Sequence, residues 1–263
     1  MEGTLDYENI IFRDNGEGIF SIILNRPNKR NAISPQMIDN LNDVVSEINA
    51  NADLRLIKLE GEGDIFCSGG DLDWMRKQVN SSRDHRIKEA MKLAKMFRAI
   101  NSLSRPLLGV IKGDAFGGGL GLISICDYCI CSSEAKFGLT ETRLGLIPST
   151  ISPYVIAKVG EGNSRDIFLS GEIFDAYKAQ KIGLINELAE PSEMEKSVEK
   201  YVEFFKSTSK QAVSASKALI QTLRPSLSDE VIKETAVRLA NAWETNDAKK
   251  GIEGFLKKAR VAW

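Results

Sequence analysis

Short apolar runs alternating with stretches of helical periodicity organise most of the chain. The runs ENIIFRD, IFSIILN, LRLIKLEG, LLGVIKG and DYCICSS are rich in β-branched residues, and they alternate or run continuously apolar over a strand's length. They predict short strands. Between them, SPQMIDNLNDVVSEINA has Ser34 as N-cap, Pro35 in the first turn, and Met37, Ile38, Leu41, Val44, Val45 and Ile48 on one helical face. HRIKEAMKLAKMFRAINSL predicts a second helix. This alternation argues for an α/β core. After GLINELAEPSEM the pattern is helical throughout, in EKSVEKYVEFFKSTS, KQAVSASKALIQTL and SDEVIKETAVRLANAWETNDAKKGIEGFLKKA, so a boundary near Ser192 separates a core (1–192) from a helical region (193–263). Neither a Pro/Gly/Ser-rich linker nor a low-complexity segment divides the core.

Two glycine turns interrupt these patterns where chemistry is expected. In VIKGDAFGGGLGLISICD, Val110 to Asp127, a strand pattern stops at three glycines and a helix pattern follows at once. The first N–H groups of a helix have no intrahelical acceptor and carry the positive end of its dipole, so they suit an oxygen on which negative charge develops. Another such turn lies earlier in the chain, in FCSGGDLDWM, Phe66 to Met75. Two donors converging on one oxygen make an oxyanion hole.

Composition narrows the partners. In 263 residues, 35 Lys and Arg stand against 36 Asp and Glu, so no whole-protein field draws nucleic acid or an anionic membrane. The helix from Ser34 to Ala50 carries no Lys or Arg, and basic and aromatic residues are not interleaved elsewhere, which argues against RNA binding. MEGTLDYENIIF lacks the basic start and apolar run of a signal peptide, no window is apolar enough for a membrane span, and a cytoplasmic protein is expected. Cys126, Cys129 and Cys131 suggest a metal site, but only Cys67 and His85 remain as partners and a second ligand pair is missing. They read as buried thiols in a reducing compartment, no metal is expected, and His85 reads as a surface residue. There is no G-x-S-x-G nucleophile elbow.

Four ordered motifs, LNRPNKRNAIS, FCSGGDL, GDAFGGGLGL and FGLTETRLGLIPS, make the chain resemble the crotonase superfamily of acyl-CoA enzymes from Tyr7 to Trp263. CSGGDLDWM and LTETRLGLIPSTISPYVI are most similar to bacterial 3-methylglutaconyl-CoA hydratases of leucine breakdown. The resemblance implies a spiral of β-β-α repeats with a C-terminal helical trimerisation region, and a homotrimer or a hexamer made of two trimers. It implies a thioester oxygen held by the N–H groups of Gly70 and Gly118, and Glu141 as acid/base. Coenzyme A enters as part of the substrate, with no permanently bound cofactor. Lys29, Arg30, Ala32, Ser68, Gly70, Asp71 and Leu72 are implied CoA contacts, with Phe255, Lys257 and Lys258 covering the adenine end, from the same chain or a neighbouring subunit. Trp74 and Met75 border the acyl pocket.

One departure bears on mechanism: where typical hydratases have a second glutamate, this chain has Gly121. The vacated volume is expected to admit a water fixed by backbone groups, although close helix packing explains such a glycine equally well. Glu141 sits among Phe137, Leu139, Leu144 and Leu146, so partial burial is expected to raise its pKa toward neutrality; the alternative is an exposed glutamate paired with Arg143. A glutaconyl substrate has a distal carboxylate, for which Arg76, Arg98 and Arg143 are the candidate cations. Val198, Val202, Phe204 and Phe205 are more apolar surface than one short helix leaves in water; intrachain packing explains them, and the resemblance adds a trimer interface. The expected activity is hydration of an enoyl-CoA. One glutamate equally serves an enoyl-CoA isomerase, and a CoA-binding protein without turnover is the reading from another class.

Overall fold

The computed structural model describes residues 4–223, 227–259 and 261–263; the first three residues of the N-terminal segment read above, 224–226 and 260 lie outside the described residues. Numbered along the chain, the larger sheet runs β1 (Thr4–Asp6), β2 (Ile10–Asp14), β3 (Ile19–Leu24), β4 (Leu56–Gly61), β6 (Leu107–Ile111), β8 (Tyr128–Ser132) and β11 (Glu187–Ala189). The smaller runs β10 (Ile173–Asp175), β9 (Lys136–Gly138), β7 (Asp114–Phe116) and β5 (Ile65–Cys67). From β3 to β11 the larger sheet is parallel, as are β5, β7 and β9 in the smaller. Every residue of β3 is buried, as expected for a strand covered on both faces.

The repeat is β-β-α. The pairs β4–β5, β6–β7 and β8–β9 each give their first strand to the larger sheet and their second to the smaller, then pass into a helix or 3-10 turn. The spiral architecture expected from the motifs is therefore present. All five predicted strands exist in the larger sheet, whereas the smaller sheet consists of three-residue strands too short for periodicity to reveal.

Helix α1 (Pro35–Ala50) forms as its sequence dictates. The Ser34 hydroxyl accepts the Met37 N–H at 3.1 Å, and all six predicted apolar positions are buried, worth ~1.5–3 kcal/mol each as an upper estimate. Helices α2 (Leu72–Val79) and α3 (Arg83–Asn101) follow β5, and α4 (Gly118–Ser124) follows β7. The chain continues through α5 (Ser152–Ser170) and α6 (Ala176–Lys181) to α7 (Met194–Lys206), α8 (Lys210–Leu223), α9 (Asp229–Trp243) and α10 (Asn246–Leu256). The last predicted stretch is thus two helices, because Thr245 caps α10 by accepting the Ala248 N–H at 3.1 Å.

The C-terminal helices cover two different surfaces. On the larger sheet, Val198, Val202 and Phe205 of α7 pack with Leu56, Leu108 and Ile130, so most of that helix's apolar face is satisfied within the chain while Phe204 stays exposed. Helix α9 packs along α3, and α10 packs on the 3-10 turn Thr140–Leu144, where Trp243, Ala248 and Ile252 join Met75 and Leu146 in a second small core. No helix among the described residues is long and apolar enough to cross a membrane.

Candidate active site

Both glycine turns arise where a strand of the smaller sheet ends. After β5 the chain passes Ser68, Gly69 and Gly70 to Asp71, whose carboxylate caps α2 by accepting N–H bonds from Asp73 (2.9 Å) and Trp74 (3.0 Å). After β7 it passes Gly117, at φ 49° and ψ −116°, into α4, which Gly118 opens. That conformation is open chiefly to glycine. Because β5 and β7 are hydrogen-bonded neighbours, the turns touch: Gly69 Cα lies 3.8 Å from the Cβ position at Gly117 and 3.9 Å from that at Gly118. The Gly118 N–H, first in its helix, has no intrahelical acceptor. Gly70 forms an isolated parallel bridge with Ile33, and the bonds of that bridge use the N–H groups of Ile33 and Asp71, leaving the Gly70 N–H out.

Glu141 comes from the 3-10 turn Thr140–Leu144. Its Oε1 lies 3.0 Å from the Cβ position at Gly117, so the carboxylate hangs over the second glycine turn. The residue is partly exposed, but Oε2 is buried and has no hydrogen-bond partner among the described residues. Burial pushes its pKa up from 4.5 to about 7. No ion pair joins it to Arg143, which is exposed.

These groups share one cavity of about 870 Å³. The structure brings Lys29, Arg30, Ala32, Ser68, Gly70, Asp71, Leu72, Trp74, Met75, Gly118, Glu141 and Phe255 to its wall. Phe255 reaches it from α10 of the same chain. Lys29 and Arg30 are exposed on the loop after β3, with Lys29 paired to Asp73 at 3.2 Å. Arg76 also lines the cavity but pairs with Asp73, and Arg98 is drawn away to Asp229. Arg143 is therefore a cavity cation with no acidic partner among the described residues.

The structure corrects the expectation of a vacated volume. Gly121 leaves no vacated volume: a Cβ there would meet Ile151 Cγ2 at 2.4 Å and Phe97 Cε1 at 2.9 Å, so side chains from α3 and the start of α5 already fill the space. It is a packing glycine, off the cavity wall. Lys257 and Lys258 are exposed and likewise off the wall. Asp71 is on the wall, but both carboxylate oxygens are committed, one to the α2 cap and the other to Arg26 at 3.0 Å. The thiols Cys126 and Cys129 are buried and donate to the Leu122 and Ile123 carbonyls. His85 is exposed on α3.

Residues that the sequence did not single out complete the wall. Ile151 closes the side where a second carboxylate would have stood, and Leu239 and Trp243 reach in from α9. The helical pattern of α9 was visible in the sequence. Its destination, a site about a hundred residues upstream, was not.

The comparison with known families decides what this cavity belongs to: residues 14–263 match the enoyl-CoA hydratase/isomerase family. The chain is a member of that family. It is 30% identical to a crotonyl-CoA hydratase of Syntrophomonas wolfei over 257 residues, covering 97% of each chain. It is 26% identical to a short-chain-enoyl-CoA hydratase of Clostridium acetobutylicum over 98% of each. A solved enoyl-CoA hydratase from Shewanella pealeana superposes with TM-score 0.79 at 29% identity, covering 97% of this chain and 96% of that one. For this family the shared substrate feature is an acyl-CoA thioester, and the wall supplies what such a substrate requires. The Gly70 and Gly118 N–H groups stand near the Glu141 carboxyl, Trp74 and Met75 give the same wall apolar surface, and Lys29 and Arg30 stand exposed on it.

Proposed function

We propose that the protein is an enoyl-CoA hydratase that adds water across the 2,3 double bond of 3-methylglutaconyl-CoA, with Glu141 as its single acid/base. The carrying observation is the Glu141 carboxylate, buried over the second glycine turn with its pKa raised to about 7. At neutral pH both protonation states are then populated, so one group can take a proton and return it. As carboxylate, Glu141 removes a proton from water while the water oxygen bonds to C3. The π electrons move into the thioester, whose enolate oxygen accepts from the Gly70 and Gly118 N–H groups. Glu141, now protonated, gives its proton to C2 as the enolate collapses. A donor of this kind contributes ~2.7–4 kcal/mol in known oxyanion holes, because its bond strengthens as the charge develops.

The methylglutaconyl assignment is supported by the two motif resemblances and by Arg143, a cavity cation suited to a distal carboxylate. Coenzyme A is part of the substrate, with its phosphates at Lys29 and Arg30, and no cofactor is permanently bound. We further propose a cytoplasmic homotrimer or dimer of trimers, a reading supported by the exposed Phe204, Leu219, Ile220 and Leu223 of α7 and α8. An enoyl-CoA isomerase is the second reading, favoured by the apolar wall that Ile151 sets where a second carboxylate would hold water. Purified protein given 3-methylglutaconyl-CoA, crotonyl-CoA and a 3-enoyl-CoA separates these readings. Loss of the conjugated enoyl absorbance from the first two supports hydration, and its creation from the third without hydration supports isomerisation. Tight CoA binding without any turnover rejects both.

A further inference from the structure

We propose that the buried Arg26–Asp71 ion pair is a positioning device that fixes the Gly70 N–H for the thioester oxygen, an inference that rests on Gly70 being an oxyanion donor. The pair joins the loop after β3 to the first glycine turn, with Asp71 on the cavity wall and Arg26 behind it. Arg26 Nη2 donates to Asp71 Oδ2 at 3.0 Å, and the two side chains are only 16% and 6% exposed. Arg26 Nη1 donates to the Ala32 carbonyl at 2.6 Å, so one guanidinium fork holds both segments. The other Asp71 oxygen caps α2.

The backbone around Gly70 is clamped on both sides. The Ile33 N–H donates to Gly69 O at 2.8 Å, the Asp71 N–H donates to Ile33 O at 3.0 Å, and the Ser68 N–H donates to Arg30 O at 3.0 Å. The loop supplying these groups is itself held in an unfavourable shape, with Arg30 and Asn31 at φ 54° and 52°. Asn31 is fully buried; it accepts the Arg26 N–H at 2.8 Å and donates to the Glu62 and Ile65 carbonyls at 2.9 and 2.8 Å. Positive φ at two successive non-glycine residues persists only where surrounding contacts enforce it. A buried ion pair is a poor source of stability, since desolvation offsets most of its attraction. Its geometric consequence is larger: every bond that sets the peptide plane of Gly70 runs through Asp71 or through the segment that Arg26 grips. Moving that N–H by about 1 Å is enough to cost on the order of 100-fold in rate.

The test uses Asp71→Asn, which keeps the cap acceptor and the shape, and Arg26→Lys, which keeps the charge but not the fork. The probe is dimethylaminocinnamoyl-CoA, whose absorbance moves to longer wavelength when donors polarise its carbonyl. Wild type bound to the probe is expected to show that shift. Both variants are expected to bind it within about threefold of wild type, lose most of the shift, and lose about tenfold or more in kcat with KM little changed. A full shift and unchanged kcat in the variants overturn the proposal. So does a rise in KM with the shift intact, which marks a merely structural pair. No shift in wild type identifies the failure as that of the oxyanion reading itself.

Discussion

Replacing Glu141 by Gln tests the burial of its carboxyl through stability as well as rate. Burial raises the folded-state pKa from 4.5 to about 7, so between those values the folded chain binds a proton that the unfolded chain has released. Stability from this group is therefore present at low pH and lost as pH rises through that window. Each tenfold ratio of proton affinities is ~1.4 kcal/mol, which gives a penalty of about 3 kcal/mol at pH 8 and under about 1 kcal/mol at pH 5. Gln cannot ionise. The stability of Glu141→Gln relative to wild type should thus improve by about 2–3 kcal/mol from pH 5 to pH 8, whatever constant cost the unpartnered amide adds. Urea unfolding of both proteins at a series of pH values gives this difference directly, because groups common to both cancel. A difference that stays flat with pH would refute the buried carboxyl, and with it the dual proton role.

At the level of activity, Glu141→Gln should lose at least about 100-fold in kcat with little change in CoA affinity, read by steady-state kinetics and CoA titration. Gly121→Ala should be destabilised by ~1–3 kcal/mol through overpacking against Ile151 and Phe97, and Ile151→Ala should largely restore stability in the double variant; unfolding midpoints report both. Lys29→Ala with Arg30→Ala should weaken CoA thioesters by ~1–2 kcal/mol and leave pantetheine thioesters nearly unaffected in the same assay. Arg143→Met should raise KM for 3-methylglutaconyl-CoA much more than for crotonyl-CoA; equal effects would place the distal carboxylate elsewhere.

What the sequence revealed and what it hid divide by distance along the chain. Helix α1 was readable because its cap, its first-turn proline and its apolar face are all local. The glycine turns were readable for the same reason, and Glu141 stood out within its own motif. The smaller sheet was not, since strands such as Ile65–Cys67 are too short to alternate, although the pairing of β5 with β7 brings the turns together. The choice between a water site and close packing at Gly121 stayed open because its neighbours Phe97 and Ile151 lie more than twenty residues away on either side, and a glycine shows nothing of what packs against it. The ion pair of Asp71, an implied CoA contact, was hidden because its partner Arg26 is 45 residues upstream. The α9 residues of the wall were hidden by the same rule, their helical pattern being legible and the surface they cover not.

In the proposed reaction one carboxyl, Glu141, adds water to an enoyl-CoA beside an apolar wall. Mass spectrometry of the product formed from 3-methylglutaconyl-CoA in ¹⁸O-labelled water tests it most directly. Wild type should give a product heavier by one labelled water, and Glu141→Gln none at matched time. A wild-type product of unchanged mass with a migrated double bond, or labelled product formed equally well by the Gln variant, would contradict it.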